Sequence, residues 1–135
     1  MESFKKVSYA DLTSVQKESY AFCKIQSVMT EFGWLEYHRL NDDHNGADFV
    51  AFHVGGKSER FQQKARFTLN PKYYGIGLKV VVYDEPSGSV YIYDHDDNFD
   101  AWEEKRMKAA AKLHKSLSLR SKTLPKFSKV TYLKL

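Results

Sequence analysis

Asp48, Gln62 and Lys64 have the residue types of a metal-assisted phosphoester site. Asp48 lies in GADFVAF; thirteen residues separate it from Gln62 in FQQKAR, and Lys64 follows two places on. The Asp48 carboxylate is a hard anionic oxygen ligand of the kind Mg²⁺ prefers. The Gln62 side-chain carbonyl is a neutral one, and the main-chain carbonyl of Gln63 adds another. A cation held this way lowers the pKa of a bound water and stabilises charge on a phosphate. Lys64 can position that water or stabilise the developing charge. Glu18, upstream, can contribute a further acid through a water. The expected catalytic set is thus Asp48, Gln62, Lys64 and Glu18, with Mg (or Mn) on Asp48, Gln62 and Gln63.

For these groups to meet, the chain must double back between them. Side chains two apart on a strand share a face, so Gln62 and Lys64 point one way and Gln63 the other. Gly55-Gly56 reads as the break that folds ADFVAFHV (47–54) onto SERFQQKARF (58–67). Upstream, Val15, Phe22, Ile25, Met29 and Phe32 recur at helical steps, which predicts a helix over 13–32, capped by Thr13 or Ser14 and ended by Gly33. WLEYHRL (34–40) alternates like a strand, and NDDHNG (41–46) reads as a turn. Residues 68–77 read as a connection. Strands follow at 78–85 and 90–96, then a helix at 97–118 capped by Asp97 or Asn98, and one short strand in FSKVTYLKL.

The order helix, three strands, with an Asp on one strand and Gln-x-Lys on the next, resembles the PD-(D/E)xK nuclease superfamily. That group includes restriction endonucleases and Holliday-junction resolvases. Asp48 matches its Asp, and Gln62-Gln63-Lys64 its Glu-x-Lys, in a Gln form similar to that of Mrr-type restriction enzymes. The resemblance spans 14–96, a nuclease-like core within a single domain of 1–135. It implies an α+β fold of the three-layer type, a mixed central sheet flanked by an N-terminal and a C-terminal helix, and metal-dependent endonucleolytic hydrolysis of DNA. Two departures stand out: TLNPKYYGIG is too short for the family's usual helix after the Lys strand, and Gln removes one metal-binding charge.

Charge agrees with a polyanionic partner. Residues 105–135 hold ten Lys or Arg and no acid, whereas 1–104 hold eleven basic and seventeen acidic residues, a formal −6. The basic helix and tail, 97–135, would array Lys105, Lys108, Lys112 and Lys115 along one side. Arg66, Lys72, Tyr73 and Tyr74 are further candidates for contact with nucleic acid, the two tyrosines either stacking bases or covering one end of the sheet. DNA is the expected partner, with a homodimer compatible.

Blander roles stand beside these. Asp48 can cap the NDDHNG turn, Lys64 and Arg66 can be a solvated strand face, and the basic tail can be solvated without a partner. A non-catalytic nucleic-acid- or protein-binding module on the same fold, such as a phage-type inhibitor, is the alternative function. Asp42, Asp43 and His44 read as a solvated turn, and Asp94–Asp97 as an exposed helix start, rather than metal clusters. Cys23, the only cysteine, reads as a small core residue; with no second thiol, an intramolecular disulfide and Cys-based zinc sites are excluded. No apolar run reaches the ~18 residues of a membrane span, and MESFKKVSYADL lacks the apolar core of a leader. A soluble, cytoplasmic protein is the expectation.

Overall fold

The computed structural model describes residues 2–44, 46–99, 117–119 and 130–133. Helix α1 spans Ser14–Thr30. Eight strands follow: β1 Trp34–His44, β2 Ala47–His53, β3 Ser58–Lys64, β4 Phe67–Leu69, β5 Lys79–Asp84, β6 Ser89–Asp94, β7 Leu117–Leu119 and β8 Val130–Leu133. Six form one sheet in the order β1-β2-β3-β5-β6-β8, and β4 pairs with β7 in a separate ribbon. Neighbours in the large sheet are antiparallel except β3 and β5, which run parallel. The expectation of an α+β protein built on a mixed sheet with a helix against it therefore holds.

The α1 start is set locally. Thr13 accepts the Gln16 N–H through its hydroxyl while the Gln16 side chain accepts the Thr13 N–H, a reciprocal capping box. The face α1 buries is Phe22, Ile25, Val28 and Met29, packed on Phe49, Ala51, Phe61, Val81 and Val90 of the sheet. Val15 and Phe32, expected in that stripe, are exposed at 73% and 46%: Val15 lies in the first turn of α1 and Phe32 beyond its last residue. Cys23, also expected inside, is exposed; it follows Phe22 and turns about 100° away from the buried face.

Several boundaries differ from the sequence expectation. β1 runs on through His44, and His44 pairs with Ala47, so the chain reverses within two residues rather than six. Asn-Gly is the dipeptide such reversals prefer, and Gly46 has φ +82°. The side chains of Asp42, Asp43 and His44 lie outside what is described. β3 ends at Lys64, three residues early, because residues 65–78 must cross over to bring β5 parallel to β3. That connection has no α-helix. It carries β4 and a 3-10 turn at Pro71–Tyr73. Phe67 of β4 packs on Tyr91 and Tyr93 of β6, on the sheet face opposite α1. The buried Tyr93 hydroxyl accepts the Thr68 N–H and donates to the Thr68 carbonyl, tying β4 to the sheet; burial pushes its pKa well above the ordinary tyrosine value. Among the described residues, a strand of the β4–β7 ribbon thus packs on the sheet face opposite α1.

The C-terminal expectations fare unevenly. The strand at 90–96 stops at Asp94, and residues 95–99 are helical. Asp94, not Asp97 or Asn98, caps this turn: its carboxylate accepts the Asp97 N–H, and the Asn98 amide donates to its carbonyl. His95, expected exposed, is 1% exposed, with Nδ1 against Asp96 and Nε2 accepting the Asn70 N–H. Residues 117–118, the expected helix end, belong to strand β7, whereas the strand foreseen in FSKVTYLKL exists as β8, paired with β6. The rest of the expected helix, with Lys105, Lys108, Lys112 and Lys115, lies outside the described residues.

Asp94 also pairs with Lys79 across β5 and β6 (3.0 Å). Partial burial raises its pKa, but the Asp97 N–H and the Lys79 ammonium outweigh that and hold the carboxyl below its ordinary value. A carboxylate so lowered stabilises the fold above its unfolded-state pKa, and that contribution is lost as pH falls through the folded value. In urea titrations from pH 5 to pH 2.5, Asp94→Asn is expected to show a shallower loss of stability below about pH 4 than the parent chain. Parallel pH profiles would remove Asp94 as a source of acid sensitivity.

Candidate functional site

The sequence-predicted residues converge at one end of the sheet. β2 buries Ala47, Phe49 and Ala51 on its α1 side, so Asp48 falls on the other. Phe49 pairs with Phe61 across the hairpin; one step beyond that pair lie Asp48 and Gln62. The parallel register sets Gln62 beside Val80 and Lys64 beside Val82, while Gln63 lies beside Val81, which packs under α1. Gln62 and Lys64 thus share the face away from α1, as their spacing implies.

These residues line one cleft of about 540 Å³. Asp48, Gln62, Gln63 and Lys64 form its floor, Glu18 and Lys17 of α1 one wall, with Tyr9 and Tyr83, and Tyr73 the other. A smaller recess of about 280 Å³ adjoins it, sharing Glu18, Asp48 and Gln63 and adding Arg39.

Gln63 organises the floor. Its backbone N–H donates to Asp48 Oδ2 (2.8 Å), and its side-chain amide donates to the Glu18 main-chain carbonyl (2.9 Å). One residue therefore holds the aspartate of β2 and the helix that carries Glu18 in register with β3. Asp48 itself is solvent-exposed, whereas Gln62 is 5% exposed. Lys64 is half-buried.

The remaining predicted contacts divide. Tyr73 is half-buried in the cleft wall, with the Lys72 ammonium 5.0 Å above its ring. A Cβ at Gly46 would come within 2.6 Å of that ring, so only glycine lets Tyr73 close against the β1–β2 reversal. Tyr74 lies outside the cleft, 47% exposed and 5.4 Å from the Phe99 ring, which makes it a cover for the helical turn at 95–99. Arg66 is exposed and does not line the cleft.

Tyr9, Lys17, Gly46 and Tyr83 line the cleft without having been singled out from sequence. One signal was available: Ser14, Lys17, Glu18 and Ala21 recur at three-, four- and seven-residue steps, a small and polar stripe beside the apolar one. Tyr9 and Tyr83 come from a 3-10 turn and a distant strand, and no spacing links them.

The donor set suits a hard cation. It offers carboxylate, amide and main-chain oxygens and no soft ligand, as Mg²⁺ or Mn²⁺ requires. Among the described residues no three His, Cys, Asp or Glu side chains cluster tightly enough to hold a metal by themselves. A cation here would rely on Asp48, with the Gln62 amide oxygen and the Gln63 carbonyl as neutral partners, and would retain water and substrate oxygens in its shell.

Fold and site together define an α+β protein with an open mixed sheet and, at one sheet end, a cleft floored by carboxylate and amide oxygens and a lysine. Comparison with protein-family models, with curated proteins and with solved structures yields no match. Among the described residues, no helix is long and apolar enough to cross a membrane.

Proposed function

We propose that this chain is a metal-dependent endonuclease that hydrolyses phosphodiester bonds in DNA, on a variant of the restriction-endonuclease-like fold. The observation that carries the reading is the meeting of Asp48, Gln62, Lys64 and Glu18 on one cleft, although 45 residues separate the first and last of them in sequence. When bound, Mg²⁺ or Mn²⁺ supplies an activated water and charge stabilisation at the phosphate. Asp48 would hold the cation through its carboxylate, helped by Gln62 and the Gln63 carbonyl. The Lys64 ammonium, on the same face as Gln62, is placed to stabilise charge developing on the phosphate oxygens. Glu18, across the cleft, accepts a proton through water. Gln63 is a positioning residue, since it holds both Asp48 and the Glu18 turn of α1.

The test is incubation of the purified chain with supercoiled, linear, single-stranded and branched DNA in Mg²⁺ or Mn²⁺. Cleavage that stops with chelator is expected. No cleavage of any form rejects the catalytic reading. The neutral Gln62, in the position where the resembling family carries an acid, favours a second reading in that event: a non-catalytic module binding nucleic acid or protein.

Gln62 also allows a direct test of the cation's location. Gln62→Glu adds an anionic oxygen beside Asp48 and is expected to tighten Mn²⁺ binding about ten-fold or more by calorimetric titration. Unchanged or weaker binding places the cation away from Gln62.

A further inference from the structure

The cleft is walled by tyrosines, and each wall pairs a ring with a lysine. On one side the Lys17 ammonium lies 5.3 Å above the Tyr9 ring. Tyr9 meets Tyr20 edge to face at 5.2 Å, and Tyr20 lies 6.3 Å from Tyr83. On the other side Lys72 lies over Tyr73, which closes against Gly46. All four rings are only half-buried. Tyr9, Tyr73 and Tyr83 face the same space as Asp48 and Lys64.

This arrangement is unlike that of a core aromatic cluster. The stacked Phe49–Phe61 pair under α1 is fully buried, and although the Arg39 guanidinium lies 4.1 Å over the neighbouring core ring of Phe22, that ring too is buried, so burial marks the difference. The tyrosines instead present apolar faces to a wet cleft, with ammonium groups beside them. Base stacking on aromatic rings, together with cations along the backbone, is how proteins hold unpaired nucleic acid. Duplex is engaged differently, by a helix or ribbon that projects into a groove. A concave site of about 540 Å³ is the size of small-molecule sites and accommodates nucleotides, not a double helix.

We infer that the cleft clamps an unpaired DNA strand, its bases stacked on Tyr9 and Tyr73 and its phosphates drawn by Lys17 and Lys72 toward Asp48 and Lys64. This rests on the proposed nuclease reading but specifies its substrate: single-stranded DNA, or the unpaired segment of a branched or frayed duplex. Tyr20 backs the Tyr9 ring, and Tyr83 lies against Tyr20 in turn.

Fluorescence anisotropy with a labelled oligo-dT and a blunt duplex of equal length, in chelator so that no strand is cut, tests the clamp. The wild-type chain is expected to bind oligo-dT about ten-fold or more tightly than the duplex. The double variant Tyr9→Leu, Tyr73→Leu is expected to lose about ten-fold or more in oligo-dT affinity while its duplex affinity stays constant. The double variant Tyr9→Trp, Tyr73→Trp retains stacking and is expected to bind oligo-dT at least as well as wild type. Equal binding of both DNA forms, an unaffected leucine variant or a weakened tryptophan variant each overturns the clamp; the tryptophan result decides if the leucine variant fails to fold. The outcomes separate from the catalytic reading. Tyrosine-dependent preference for oligo-dT without any cleavage leaves the clamp standing and removes the nuclease. Metal-dependent cleavage with an unaffected leucine variant does the reverse.

Discussion

Asp48→Ala is expected to lose metal-dependent cleavage by about a thousand-fold or more. A bound cation contributes several kcal/mol of charge stabilisation to phosphoester chemistry, and about 1.4 kcal/mol is a factor of ten in rate. Asp48 is the carboxylate at the cleft floor, fixed by a hydrogen bond to the Lys-bearing strand. The alanine variant also leaves the Gln63 N–H without its acceptor, which costs about 1 kcal/mol of stability at this exposed site. Asp48→Asn separates the two effects. Its amide oxygen can still accept the Gln63 N–H, so its melting temperature should stay near that of the parent, while cleavage falls nearly as far as in Asp48→Ala. Gel assays of plasmid cleavage beside thermal melts measure both. An asparagine variant that cuts at the parental rate would show that the Asp48 charge has no part in the chemistry.

Phe49→Ala is expected to destabilise the fold by about 3–5 kcal/mol, the largest stability effect of any single truncation near the site. Phe49 is 1% exposed, stacks on Phe61 at 5.1 Å and 12°, and meets Phe22 of α1 edge to face at 5.1 Å. Its removal leaves a cavity at the junction of α1, β2 and β3 that those elements cannot collapse to fill. For a domain of this size the loss corresponds to a fall of roughly 10–20 °C in melting temperature. Phe52→Ala is the control: Phe52 is 38% exposed on the opposite face and should cost less than about 1 kcal/mol. Similar shifts for the two variants would contradict the packing described. Activity couples to the same ring pair, because Asp48 and Gln62 lie one residue beyond it, and a displacement of about 1 Å at a reacting centre can cost a hundred-fold.

Local order decided much of this protein before any tertiary contact. Thr13 and Gln16 start α1, the Phe22–Met29 stripe gives it a buried face, and the valines of β5 demand a strand buried on both sides. The hairpin through Gly55-Gly56 and the period-two alternation of β2 and β3 suffice to put Asp48 near Gln62, which is why that part of the candidate site was legible from spacing. Three things depended on the assembled fold. The 65–78 crossover is strand and 3-10 turn rather than helix, because the ring of Phe67 finds Tyr91 and Tyr93 on the free sheet face. His95 is buried because Asn70, twenty-five residues away, supplies the N–H its Nε2 accepts. Tyr9, Tyr73 and Tyr83 share a cleft only because two 3-10 turns, Tyr9–Asp11 and Pro71–Tyr73, and β5 meet around the end of β3. Alternation and helical period report neighbours within an element; which elements converge is set by burial and hydrogen bonding between segments distant in sequence, and that information exists only once the chain has packed.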